Sequence, residues 1–169
     1  MVTLRSRTPA IVAIDLVIAL LALSLVLGSA APVAAGDQLP FNGSLAGAVT
    51  VTPIEPPIAS VVIEATGTAN QLGRFTVLVP HIVNQAIRVG EGTYEFTAAN
   101  GDTLTADFTG QATLVAPGVL STIETATITG GTGRFAGATG SFIAERTFFV
   151  ASGVTTGSFA GTISRPGQG

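Results

Sequence analysis

The chain has 169 residues, of which 47% are hydrophobic and 10% charged, with a formal net charge of −3. Its basic side chains are all Arg and are outnumbered by acids, which excludes a strongly basic nucleic-acid-binding protein. With no Cys and a single His, the chain cannot form disulfides, thiolate or multi-His metal sites, or a Cys nucleophile. The sequence therefore predicts no metal, and the length suits one domain.

Residues 1–35 have the order of regions that is typical of a secretory signal peptide. Arg5 and Arg7 supply positive charge, and a continuous apolar run follows from Leu16 to Leu27. Small residues then lead to Val33-Ala34-Ala35, a sequence that favours cleavage by a signal peptidase. The segment is therefore predicted to be an N-terminal signal helix.

Cleavage before Gly36 would leave residues 36–169 as a secreted domain, in the periplasm or outside the cell. The alternative is an uncleaved membrane anchor over residues 10–27, which would be the protein's only contact with a membrane. The uninterrupted apolar run is shorter than the ~20 residues that span a bilayer, so the length favours the cleaved signal peptide.

From residue 36 onward, apolar and polar residues alternate with a period of two between Gly, Pro and Asn-Gly punctuation. Abundant Thr and Val suit the pleated, half-buried surface of a sheet. The pattern predicts eight strands, built around Phe41–Val51, Val61–Ala65, Phe75–Val79 (ending near Pro80), Gly92–Ala98, Leu104–Leu114, Leu120–Thr129, Ser141–Val150 and Thr155–Ser164.

Eight consecutive strands with short links predict an all-β fold, an eight-stranded antiparallel β-barrel whose closure removes exposed strand edges. A barrel of this size either fills its interior with side chains or holds one small ligand. A two-sheet sandwich is the alternative architecture. An outer-membrane barrel is disfavoured, because one Tyr and no Trp cannot supply two aromatic girdles.

The hairpin around Asn100-Gly101-Asp102 allows a prediction of strand register. A three-residue turn with Gly in the left-handed conformation pairs Tyr94 with Phe108 and Phe96 with Ala106. This register separates apolar from polar side chains on the two faces, although it sets Glu95 opposite Asp107.

The segment from residue 128 to 140 is rich in glycine, and Gly131–Ala136 fits the dinucleotide-binding pattern G-x-G-x-x-A. That interpretation fails, because Gly137 and Gly140 would interrupt the required helix and no acidic residue follows Glu145 to bind a ribose. The segment is instead predicted to be a tight connection across one end of the barrel, with Phe135 filling the core. The structural residues of this turn are Gly130, Gly131, Gly133, Phe135 and Gly140.

The run Gly130–Phe135, with small residues through Gly140, resembles the signature of the allene oxide cyclase and dirigent protein barrels. The resemblance extends more weakly over residues 40–164 and suggests a secreted homologue of bacterial type. It implies a barrel with an apolar cavity, often dimeric or trimeric, that works without a cofactor. Allene oxide cyclases cyclise an unsaturated fatty-acid epoxide, and dirigent proteins direct phenoxy-radical coupling. No pocket residue of either family matches position by position, so none is carried over.

Two charged residues near this turn are the main candidates for a site. If Gly130 lies opposite Gly140, then Glu124 lies opposite Arg146, and each occupies the more apolar face of its strand. Such a pair could orient a polar head group or polarise a carbonyl or epoxide oxygen in an apolar cavity. The alternative is a structural bridge between neighbouring strands.

His81 is the third weak catalytic candidate, because it is the only side chain that ordinarily titrates near pH 7. It follows Pro80 at a predicted strand end. A lone His in such a position is more often structural or exposed than catalytic, so the identity of any catalytic residue remains open.

Two classes of function are compatible with these patterns. The first is a barrel that binds a small hydrophobic molecule, with or without isomerase or cyclase activity. The second is a non-catalytic secreted module for structure or surface attachment. A hollow interior of ~300–1,000 Å³ would favour the first class, and a solid interior the second. The predicted ligand-binding residues are Tyr94, Phe96, Phe108, Phe142 and Phe148.

Overall fold

The computed structural model describes residues 37–164, which form nine β-strands and one short 3-10 helix. The predicted signal peptide lies outside the described residues. Within the described part, no helix has the length and hydropathy needed to cross a bilayer. The elements are β1 (Gln38–Pro40), β2 (Gly43–Glu55), β3 (Ile58–Ala69), β4 (Gly73–Asn84), β5 (Val89–Ala98), β6 (Thr103–Ala116), β7 (Val119–Gly131), the 3-10 turn (Gly133–Phe135), β8 (Gly140–Phe149) and β9 (Val154–Ser164).

The strands β2 to β9 form a closed antiparallel barrel. Each strand pairs with the next along the chain, and β9 returns to pair with β2, where Ser44 lies opposite Ser158. The short β1 adds to the end of β9. The predicted eight-stranded barrel is confirmed, with β1 as an additional strand, and the two-sheet sandwich is wrong. Closure satisfies the backbone groups that an open sheet would leave at its edges.

The barrel has two different ends. The connections β3–β4, β5–β6 and β7–β8 lie at one end, which we call the closed end. The connections β2–β3, β4–β5, β6–β7 and β8–β9 lie at the opposite end, which we call the open end. Inward-facing aromatic rings fill the half next to the closed end, with neighbouring centroids 5.0–6.2 Å apart. Burial of each such ring contributes roughly 1.5–3 kcal/mol to stability. The cluster comprises Phe41, Phe75, Tyr94, Phe96, Phe142 and Phe159.

The glycine-rich connection β7–β8 covers the closed end. Phe135 is completely buried, so the prediction that it fills the core is confirmed. Gly133 has a φ of +56°, a conformation that costs little only for glycine, and its Cα lies against the carboxylate of Asp102. Asp102 accepts a hydrogen bond from the backbone N–H of Arg134. The connection is therefore tied to the β5–β6 turn.

Strand β4 is longer than the sequence predicts. It continues through Pro80 to Asn84, so the predicted strand end near Pro80 is wrong. The β4–β5 ladder has paired residues at Leu78 and at His81 but is interrupted between them. Pro80 lies in this interruption, where the absence of a backbone N–H donor costs no ladder hydrogen bond.

The predicted register of the β5–β6 hairpin is wrong by two residues, because Tyr94 lies opposite Ala106 and Phe96 opposite Leu104. The three-residue turn, which has Gly101 at φ +89°, begins one residue earlier than predicted. A shift of two residues keeps every side chain on its predicted face. It also places Asp107 opposite Thr93, whose hydroxyl donates to the carboxylate at 3.1 Å, rather than opposite Glu95.

Candidate functional site

The half of the barrel next to the open end contains a cavity of about 280 Å³. Its wall is mainly apolar, and six polar or charged side chains also line it. The residues that line it are Val49, Val51, Val61, Ile63, His81, Val83, Gln85, Arg88, Gly90, Phe108, Gly110, Ala112, Leu120, Thr122, Glu124, Arg146 and Phe148.

Glu124 and Arg146 form a buried ion pair where the cavity meets the aromatic cluster. The two residues are 2% and 6% exposed. Arg146 Nε donates to Glu124 Oε2 at 3.0 Å, and Arg146 Nη2 donates to Oε1. The predicted register is wrong by two residues, since Gly140 pairs with Ile128 and Arg146 with Thr122. The pair still forms, diagonally, because both residues remain on the inner face.

Two further side chains hold this pair in place. The Tyr94 hydroxyl donates to Glu124 Oε2, and Arg146 Nη1 donates to Thr155 Oγ1 at 3.2 Å. The Thr155 hydroxyl in turn donates to the carbonyl of Thr147 at 3.1 Å. Arg146 thus uses three of its five N–H donors on protein groups.

The electrostatics of this network favour a neutral tyrosine and a charged arginine. Burial is the main cause that raises the pKa of Tyr94 far above its usual range, and the Glu124 carboxylate raises it further. Burial lowers the pKa of Arg146, but the hydrogen bonds and negative charge of Glu124 outweigh this effect and raise it overall. The ion pair therefore has no net charge.

Glycines on the neighbouring strands make room for the charged side chains. Gly110 pairs with Glu124, and a Cβ on Gly110 would lie 2.5 Å from Glu124 Cγ. Gly157 pairs with Arg146, and its Cβ would lie 2.6 Å from Arg146 Cγ. Such approaches are shorter than real Cβ contacts, so any other residue would displace the side chains of the pair.

His81 lies within β4 and lines the cavity, not at a strand end as the sequence predicts. Its Nδ1 is 2.9 Å from the Val79 carbonyl oxygen, and its ring packs edge-on against Phe108 at 5.6 Å. Burial lowers the pKa of His81, although the Val79 carbonyl and the Glu124 charge act in the opposite direction. The ring therefore favours the neutral form at neutral pH.

The predicted aromatic lining separates into two groups. Phe108 and Phe148 line the cavity. Tyr94, Phe96 and Phe142 do not: they are buried in the aromatic cluster, where the Tyr94 and Phe96 rings stack at 5.5 Å. All three lie on the inner face, as predicted, but their height along the barrel axis places them in the filled half rather than in the cavity wall.

Sequence reasoning missed several polar residues of the site. Thr155, which is completely buried, supports Arg146, and Thr122, Gln85 and Arg88 line the cavity. Thr155 carries a detectable signal, since it shares the inward phase of β9 with the buried Phe159. Arg88 lies in the β4–β5 connection, where no periodicity indicates the direction of a side chain.

The site offers hydrogen bonds to a ligand rather than a set of metal ligands. Among residues 37–164, no three His, Cys, Asp or Glu side chains are grouped so that they could hold a metal ion. Arg146 retains N–H donor capacity beyond its three hydrogen bonds to Glu124 and Thr155 and its interaction with the Tyr94 hydroxyl. An acceptor oxygen of an otherwise apolar molecule is the group that these donors suit.

Comparison with known proteins supports the fold. No protein-family model matches the sequence, and no curated protein matches it. One similar solved structure is a pterocarpan synthase dirigent protein, with a TM-score of 0.52 and 15% identity over 78% of this chain and 90% of that one. At this identity the similarity shows the fold alone. The chain has a dirigent-like barrel, as the resemblance of its glycine-rich turn predicts.

Proposed function

We propose that this protein binds a small, mainly apolar molecule in the open half of its barrel. The observation that carries the proposal is the division of the interior into a solid aromatic half and a cavity of about 280 Å³. This volume lies just below the ~300–1,000 Å³ that is usual for ligand sites, which suits a compact ligand. A hollow interior supports this function over that of a structural or surface-attachment module.

The floor of the cavity supports the orientation of a polar group on that molecule. Because Glu124 already neutralises Arg146, a ligand carboxylate would face both charges, whereas a neutral carbonyl, hydroxyl or epoxide oxygen needs only the free N–H donors. Aliphatic walls around this point lower the local dielectric constant and strengthen such a hydrogen bond.

We further propose that the protein carries out cofactor-free isomerase or cyclase chemistry, which the same geometry supports. Arg146 is fixed by Glu124 and Thr155, so its free N–H groups would stabilise negative charge that develops on a ligand oxygen without reorganising. The Tyr94 proton stays on its oxygen, because burial disfavours the phenolate and the Glu124 carboxylate disfavours it further. Binding of the ligand is required for this chemistry and is tested first.

A cavity-filling substitution tests the binding proposal. Ala112 lines the cavity, whereas the adjacent Thr113 is exposed on the outer face of the same strand. We expect Ala112→Phe to weaken binding of 4-tert-butylcyclohexanone at least tenfold in isothermal titration calorimetry, because the ring occupies the ligand volume. Thr113→Phe, the matched control, should bind like the wild type. Equal binding by all three proteins, or no binding by the wild type, would contradict the proposal.

We also propose that the barrel is exported after cleavage before Gly36. The charged, apolar and small-residue regions within residues 1–35 support this proposal. Mass spectrometry of the protein recovered outside the cytoplasm of its host should find an N-terminus at Gly36. A chain that keeps residues 1–35 and stays with the membrane fraction would favour the anchor alternative.

A further inference from the structure

The hydrogen bond of His81 to the backbone determines the tautomer of the ring. The Val79 carbonyl oxygen can only accept a hydrogen bond, so His81 Nδ1, 2.9 Å away, carries the proton. In the neutral imidazole the other nitrogen, Nε2, is then an acceptor with a free lone pair. The edge-on contact with Phe108 limits rotation of the ring. His81 therefore presents an acceptor, whereas Arg146 presents donors.

Within residues 37–164, no protein group forms a hydrogen bond with His81 Nε2. No enclosed side-chain nitrogen or oxygen of the described residues lacks a partner, so Nε2 is not sealed in the protein. Because His81 lines the cavity, the accessible nitrogen is available to a molecule inside it. The cavity thus contains an acceptor that the protein itself does not use.

The surroundings of His81 favour this neutral ring. The strands on either side of β4 place Val61 and Gly92 beside it, and neither carries a charge. The charged groups that act on it across the cavity are Glu124, which favours protonation, and Arg146, which opposes it. The Arg88 side chain, also part of the cavity wall, adds positive charge.

We infer that His81 is a specificity-determining residue, because its Nε2 accepts a hydrogen bond from the ligand. The cavity therefore selects a hydroxyl-bearing molecule over a molecule of the same shape that can accept hydrogen bonds but not donate them. Protonation of the ring reverses this role, since Nε2–H then donates and a carbonyl oxygen becomes a suitable partner. The preference for the hydroxyl-bearing molecule should therefore fall as His81 becomes charged. This inference rests on the proposed binding function.

A matched pair of probes tests the inference. trans-4-tert-Butylcyclohexanol and 4-tert-butylcyclohexanone have nearly the same size, but only the alcohol can donate. At pH 8 the wild type should bind the alcohol about threefold to tenfold more tightly than the ketone, as a single hydrogen bond predicts. The ratio of the two affinities should fall towards one as the NMR signal of the only imidazole reports protonation.

Two variants separate this role from a structural one. His81→Phe should bring the alcohol-to-ketone ratio close to one at every pH, and His81→Gln, which donates and accepts without titrating, should make the ratio independent of pH. A wild-type ratio near one at pH 8, a ratio that ignores imidazole protonation, or an unchanged ratio in His81→Phe would overturn the inference. Binding of both probes with no selectivity would leave the proposed function standing, whereas absence of all binding would contradict both.

Discussion

At the scale of single residues, the pair formed by Glu124 and Arg146 places two charges inside the barrel, where each is 6% exposed or less. The free-energy cost of removing two charges from water is offset only when the geometry of the ion pair is good and its remaining polar atoms form hydrogen bonds. Tyr94 and Thr155 supply those partners, and Gly110 supplies the space. Apolar side chains of similar volume would serve stability as well, so the pair supports the proposed binding function.

Replacement of one partner should be strongly destabilising. Arg146→Met leaves the Glu124 carboxylate buried and unneutralised, so we expect the free energy of unfolding to fall by about 3–5 kcal/mol in urea denaturation. Adding Glu124→Gln should restore a substantial part of this loss. Arg74→Met, at an exposed position, is the matched control and should change stability by less than about 0.5 kcal/mol.

The outcome of these substitutions also separates the two roles of the pair. Loss of stability with unchanged affinity for the ketone probe, measured under conditions where the variant is folded, would make the pair a structural bridge. A loss of affinity in the double variant, whose stability is restored, would place Arg146 in the binding site. An Arg146→Met variant as stable as the control would contradict the buried, paired geometry itself.

At the scale of elements, the glycine-rich connection should tolerate little change at Gly133. Gly133 and Gly118 have similar φ values, +56° and +70°, but a Cβ on Gly133 would lie 1.9 Å from Asp102 Oδ1, whereas Gly118 faces open space. Gly118→Ala should cost about 1 kcal/mol from the left-handed conformation alone. Gly133→Ala should cost clearly more, because it also displaces Asp102 from Arg134. Equal losses in urea denaturation would show that Asp102 moves aside freely.

The strand pairs β5–β6 and β7–β8 show which structural features the sequence pattern determines. It determines the face on which a side chain lies, but not the register of the strands. Alternation with period two assigns Tyr94 and Phe96 to the inner face, and it assigns Glu124 and Arg146 there as well. It leaves the register open, because a shift of two residues preserves both faces. The predicted ion pair therefore survives an incorrect register, since a long Arg side chain reaches the diagonal neighbour.

At the scale of the whole molecule, eight alternating strands are sufficient to predict the closed barrel but not its partly empty interior. The division of the interior into a filled half and a half with a cavity depends on how the inward-facing side chains stack along the barrel axis. Phenylalanines such as Phe96 and Phe142 meet at one height, and small residues such as Gly90, Gly110 and Ala112 meet at another. These heights follow from the exact register of every strand pair, which the sequence pattern leaves undetermined.

Tyr94 joins the two halves of the barrel and reports on the folding of the whole. It is completely buried in the aromatic cluster, and its hydroxyl reaches Glu124 at the floor of the cavity. The chain has one Tyr, no Cys and no Lys, so Tyr94 is the only side chain that ordinarily titrates near pH 10. Burial raises its pKa in the folded protein, so above about pH 10 the unfolded state binds fewer protons.

Tyr94 should therefore leave the free energy of unfolding constant between about pH 8 and pH 10 and then make it fall, by at most about 1.4 kcal/mol for each further pH unit. Phenolate absorbance should appear together with the loss of the circular dichroism of the sheet, in one cooperative transition, because Tyr94 ionises only when the barrel opens. The urea-unfolded protein, as the control, should titrate without cooperativity near the ordinary tyrosine value. A folded barrel whose tyrosine ionises near pH 10 would mean that water reaches the Tyr94 hydroxyl, and the floor of the cavity would then be too wet to orient a ligand.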